Sequence, residues 1–267
     1  MIPFTIHELK LFAPVSLNGQ ATIAHLDTGA TQTTIGAGAA RGLEKVGSSR
    51  MRGGLGQRKA EFVRIPTLEF LGETFEDTTA AVVDSESYFA GVPFPVSLTL
   101  GAPILTARPL VLDFRRHWIG FAGGPLRPDL ETIEAEFIKG LPLLNLRMDG
   151  HGLRAAFDTG AAYSVFNSAH LDEIGMEPEE VYSLEVNDPT GATSWLPVYR
   201  AGETSVSGIP LGPCEFLTVD LSPVEQGLDA RVDFVFGANA MLTSGLVWVI
   251  DREHSCLRLV ERGVDVT

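Results

Sequence analysis

The chain is poor in cysteine. Only Cys214 and Cys256 occur in 267 residues, too few for a disulfide framework and without metal-ligand spacing. Two buried thiols in a reducing compartment are therefore expected. Long apolar runs are missing too: 45% of residues are apolar, yet no stretch approaches the roughly 18 needed to cross a bilayer. A soluble globular protein with no membrane partner follows. The opening stretch MIPFTIHELKLFAPVSLNG has neither the basic start nor the apolar block of a secretory signal. It alternates like a first strand, and a cytoplasmic location is expected. Positive charge is also scarce, with 20 Lys and Arg against 34 Asp and Glu and a net charge of −14. Phosphates would be repelled, which argues against nucleic acid as a partner.

What the chain does have is an internal repeat. HLDTGA at 25–30 returns as AFDTGA at 156–161, an offset of 131 residues. In that register the rest of both halves agrees. Nine positions before each aspartate stands a hairpin signal, Asn18-Gly19 and Asp149-Gly150, dipeptides suited to positive φ. ATIAHL and LRAAF then read as strands that deliver each aspartate into a glycine-containing turn. Nine residues after each aspartate the pattern changes to helix, GAGAARGLEKVG from Gly36 and NSAHLDEIGM from Asn167, with Asn167 as N-cap and Leu43 and Ile174 on the inner face. Each half ends on a glycine, a short helix and an apolar strand closed by aspartate, TLGAPILTARPLVLDF from Thr99 and VFGANAMLTSGLVWVID from Val235. The remaining segments are short, β-rich and punctuated by Gly and Pro, an all-β signature. AGGPLRPDLETIEAEF, with its prolines and acidic run, marks a boundary between a half at 1–125 and one at 135–267.

One D-T-G is a weak signal, but two in register are not. Each follows an apolar residue (Leu26, Phe157), precedes Ala, has a hydroxyl residue six positions on (Thr33, Ser164) and is answered later by Leu100-Gly101 or Phe236-Gly237. This constellation resembles the aspartic proteases of the pepsin and retroviral-protease clan, over nearly the full chain. The resemblance implies pseudo-two-fold duplicated β-barrel lobes with short helices, in a single chain with two retroviral-type halves. It implies that Asp27 and Asp158 form a catalytic dyad that activates water to hydrolyse peptide bonds, with no metal and no cofactor. Thr28 and Thr159 match the position whose hydroxyl crosses to the opposite loop. Gly29 and Gly160 match the close approach of backbone to carboxylate. At Ala30 and Ala161 pepsin-like loops often carry Ser or Thr; losing that donor predicts higher dyad pKa values and activity nearer neutral pH. The partner implied is an extended peptide or protein substrate, and the enzyme is expected to act as a monomer.

Gly53, Gly54, Leu55 and Gly56, within RMRGGLGQRKAEFVRI, are similar to the glycine-rich flap tip of retroviral proteases. VNDPTGATSWLPVY from Val186 occupies the corresponding interval, as a second flap or an ordinary surface hairpin. Between Arg41 and Arg64 seven basic residues meet two acids, a lid that attracts acidic substrates or simply a solvated face. Asp113 and Asp251 end matching strands and read as structural. His25 reads as a packed or solvated histidine, and Trp118, Trp195 and Trp248 as packing residues. Two other readings stay open: a peptide-binding module of the same fold without turnover, and dyads formed between chains of an oligomer.

Overall fold

Hydrophobic alternation sets the strands. Along Lys10–Leu17 the side chains of Leu11, Ala13, Val15 and Leu17 turn into the main core, and Ala24 and Leu26 join them from Gln20–Leu26. The turn between these strands has φ of 51° at Asn18 and 78° at Gly19; its counterpart has 47° at Asp149 and 88° at Gly150. Both are the left-handed conformations that tight hairpins require. The computed structural model describes residues 1–52, 56–127, 130–187 and 192–260. These form an all-β protein with short helices. Among the described residues no helix is long and apolar enough to cross a membrane.

One sheet has eight strands in the spatial order Thr5–His7, Lys10–Leu17, Gln20–Leu26, Val96–Leu100, Thr33–Gly36, Glu73–Val83, Gln57–Phe70, Glu44–Arg52. Within the larger, thirteen-stranded sheet, eight strands follow the corresponding order: Glu131–Ile138, Leu141–Met148, His151–Phe157, Phe234–Phe236, Ser164–Asn167, Ile209–Val219, Thr193–Val206, Glu179–Asn187. In each set the strand leading to an aspartate pairs in parallel with the strand leading to a glycine, Leu26 beside Leu100 and Phe157 beside Phe236. Each set also folds back on itself, Leu17 pairing with Leu68 and Leu146 with Val206. The larger sheet continues through Cys256–Val260, Val247–Asp251, Leu110–Asp113, Trp118–Phe121 and Ile2–Pro3. Strands from both halves of the chain thus share one sheet, with Leu112 opposite Trp248.

The stretch after Gly36 differs from its helical expectation. Residues 37–42 make turns and Glu44–Arg52 is a strand. Gly42, at φ 82°, ends the turns, and pairing with Gln57–Phe70 holds the following residues extended. Tertiary pairing overrides a weak helical preference here. The second half keeps its helix. Asn167 Oδ1 accepts from the Ala169 amide, a 3₁₀ turn at Ser168–His170 leads into Leu171–Ile174, and Gly175 closes it at φ 75°. Leu43 and Ile174 both pack against the main core.

Trp248 is fully buried, but Trp118 is 41% and Trp195 69% exposed, so only the first of the three is a core residue. Asp113 caps its turn by accepting from the amides of Arg115 and Arg116, and Asp251 accepts from the amide and ring of His254.

Candidate active site

Each aspartate is held at the end of a strand by a backbone bond to its parallel neighbour. The Asp27 amide donates to Leu100 O and the Asp158 amide to Phe236 O, both at 3.0 Å. The turn that follows folds against a glycine. Ala102 N donates to Ala30 O and Ala238 N to Ala161 O, each at 2.8 Å. A Cβ on Gly101 would come within 2.6 Å of Gln32 O, and one on Gly237 within 2.7 Å of Tyr163 C, so neither position accepts a side chain. The amides of these glycines donate to the hydroxyls six residues beyond the aspartates, Gly101 to Thr33 and Gly237 to Ser164. Ser164 in turn donates to Asn239 Oδ1 at 3.0 Å. Asn239 has no signal in the repeat, because Pro103 stands at the matching distance from Gly101.

The two turns meet through Thr28 and Thr159, both buried. Thr28 Oγ1 donates to Phe157 O at 2.8 Å and accepts from Thr159 N at 3.0 Å; Thr159 Oγ1 donates to Leu26 O at 2.9 Å and accepts from Thr28 N at 3.1 Å. Four buried main-chain groups are satisfied by two hydroxyls. Beneath Asp158, Phe157 packs 5.0 Å from Trp248 and 6.0 Å from Phe236, ring centre to ring centre, which fixes the strand end from below.

This clasp brings the carboxyl groups of Asp27 and Asp158 into hydrogen-bond contact. Each lies directly over the opposite glycine: a Cβ on Gly29 would overlap the Asp158 carboxyl, and one on Gly160 the Asp27 carboxyl. Main-chain amides supply the other donors. Ala30 N reaches Asp27 Oδ1 at 2.8 Å, while Gly160 N and Ala161 N reach Asp158 Oδ1 at 2.8 and 3.2 Å. Burial raises Asp27 well above the usual carboxylate range and the neighbouring Asp158 charge raises it further. Burial also raises Asp158, but its amide donors and its hydrogen bond from Asp27 pull the other way. The two carboxyls therefore hold a proton as a pair.

Of the expected flap tip, Gly53, Gly54 and Leu55 lie outside the described residues. Gly56 leads into the strand at Gln57, and the arms Glu44–Arg52 and Gln57–Phe70 pair as a hairpin. Glu179–Asn187 and Thr193–Val206 form a second hairpin, with exposed Trp195 near its end. The basic stretch is partly neutralised, Lys45 by Glu61 at 2.9 Å and Arg64 by Glu44 at 3.2 Å.

Two facing aspartates, each cradled by turn amides, make an acid/base pair suited to activating water. The model of the aspartyl protease family matches residues 13–103, from within the strand Lys10–Leu17 to the residues just after Gly101. That match supports an aspartyl protease, and with it hydrolase activity, at the level of the family. No curated protein matches the sequence.

Proposed function

We propose that the chain is an aspartic endopeptidase of two retropepsin-like lobes, residues 1–125 and 135–267, with one catalytic aspartate from each. The observation that carries the reading is the contact between the Asp27 and Asp158 carboxyls, held by the reciprocal threonine bonds. The matching order of pairing in the two eight-strand sets supports the duplication.

The ionised carboxyl of the pair is the base. It takes a proton from water bound between the carboxyls as the oxygen attacks the scissile carbonyl, while the protonated carboxyl donates to the carbonyl oxygen and stabilises its developing charge. The proton gained by the dyad then passes to the leaving amine as the C–N bond breaks, and no covalent intermediate forms. The substrate lies extended, its backbone paired to the hairpin arms and its side chains alternating into opposite pockets. Both cysteines are buried and unpaired, which suits a monomer working in a reducing cytoplasm.

Cleavage of a peptide library by the wild type, Asp27→Asn and Asp158→Asn, with and without a statine-type inhibitor, tests the reading. Turnover in the wild type alone, blocked by the inhibitor, is expected. Turnover that survives either substitution overturns it, and peptide binding without turnover makes the chain a binding module.

A further inference from the structure

The strand that delivers Asp27 carries a histidine the proposed chemistry does not use. His25 and Asp27 are two residues apart, so their side chains leave the same face of the strand, about 7 Å apart along it. Phe12 pairs with His25 across the ladder, and Lys10, two residues before Phe12, shares that face. The segment after Asp84 folds over them. The rings of Phe89 and Tyr88 lie 5.4 and 6.5 Å from the imidazole, and Lys10 Nζ lies 5.4 Å from the centre of the Tyr88 ring.

One polar group in this cluster has no hydrogen-bond partner, and a cation stands close to it. His25 is 1% exposed and neither ring nitrogen has a hydrogen-bond partner. Lys10 is 9% exposed, and its ion-pair partner Glu8 stands 3.9 Å away with a carboxylate largely in solvent. A buried polar group without a partner is rare and costly, and a cation beside it favours an anionic ligand. The corresponding places beside Asp158 hold Leu141, Leu143 and Ala156, packed with Leu221 and Leu228 in a wholly aliphatic cluster. The two sides of the dyad thus differ in chemistry. One is dry and apolar; the other holds a cation and an orphaned imidazole.

We propose that Lys10 and His25 form a specificity pocket that takes the carboxylate of an Asp or Glu side chain beside the scissile bond, with an aliphatic side chain on the other side of the cut. The proposal rests on the endopeptidase reading. An extended peptide repeats its side-chain directions every two residues, about 7 Å, the same spacing that separates His25 from Asp27. Lys10, at the more open end, pairs with the carboxylate, and a His25 ring N–H donates to it. Phe12 and Tyr88 flank the methylene stem.

The test compares peptides identical except for Glu, Gln or Leu at the residues flanking the cut. The wild type is expected to prefer Glu over Gln by about tenfold or more in kcat/KM, the usual range for one charge-assisted contact. Lys10→Met and His25→Leu should each bring the Glu-to-Gln ratio toward one. Affinity of the same peptides for Asp27→Asn, measured by fluorescence anisotropy, reads the pocket without turnover and should show the same order. Cleavage with no Glu preference, or a preference that survives Lys10→Met, overturns the pocket and leaves the protease reading standing. Glu-selective binding with no cleavage by the wild type keeps the pocket and removes the protease reading. Neither cleavage nor binding overturns both.

Discussion

Thr28 and Thr159 exchange hydrogen bonds across the centre of the molecule, each hydroxyl accepting the other's amide and donating to the carbonyl that precedes the other's aspartate. Local turn chemistry positions each carboxyl within its own loop. This exchange, with the contact between the two carboxyls, positions the loops against each other.

Removing one hydroxyl should therefore cost more than a surface threonine does. Thr28→Ala leaves Phe157 O and Thr159 N buried without partners, a loss of about 3 kcal/mol, and Thr159→Ala should match it. Thr28→Ser keeps both bonds and gives up one methyl, about 1 kcal/mol. Urea denaturation of the three variants checks the ranking. Near-equal costs for Ala and Ser at position 28 would remove the hydroxyls from the account.

Gly29 and Gly160 lie under the opposite carboxyls, so a methyl at either place must push an aspartate aside. Gly29→Ala and Gly160→Ala should each lower kcat at least about a hundredfold, the order expected for a displacement near 1 Å. A peptidase assay reads the effect. Full activity in either variant would mean that the carboxyls do not work in the arrangement seen.

The dyad also predicts opposite effects of pH on stability and on activity. Both carboxyls have folded pKa values above their unfolded value of 3.8. Their protonated forms favour the folded state, and that stability is lost as pH rises from about 4 through the folded values. Asp27→Asn should be inactive yet gain in Tm over the wild type as pH rises from 4 to 7. Activity needs one proton on the pair, so it should peak above pH 4 and nearer neutrality than in pepsin-like enzymes. A maximum below that point, or a Tm difference independent of pH, contradicts the raised carboxyls.

His25 acts in the reverse sense. Burial first, and then the nearby Lys10 charge, bring its pKa from 6.5 down to about 3. Its neutral form is the one the fold accepts, so stability is full above pH 6.5 and declines as pH falls toward 3. His25→Leu should flatten that decline, an effect separable from the dyad's because the aspartates remain. Thermal melts between pH 7 and pH 3 provide the comparison, and an unchanged slope argues against a buried neutral imidazole.

Much of this site is legible in sequence because its parts are local. Asn18-Gly19 and Asp149-Gly150 announce their turns, Gly29 and Gly160 announce a close approach, and Thr33 and Ser164, which hold the Gly101 and Gly237 amides, stand at a fixed spacing from the aspartates. What escapes is set by partners distant along the chain. The stretch after Gly36 has helical residues but becomes a strand because Gln57–Phe70 lies beside it. Asn239 belongs to the site only because the fold brings Ser164 to it. The surroundings of His25 come from Phe12, Tyr88 and Phe89, which no periodicity links to position 25.

The ladder between Leu110–Asp113 and Val247–Asp251 stitches the two halves of the chain into one fabric. Cutting the polypeptide between the repeats would not yield two independent pieces, because each would carry away a raw, apolar sheet margin with its amides and carbonyls unpaired.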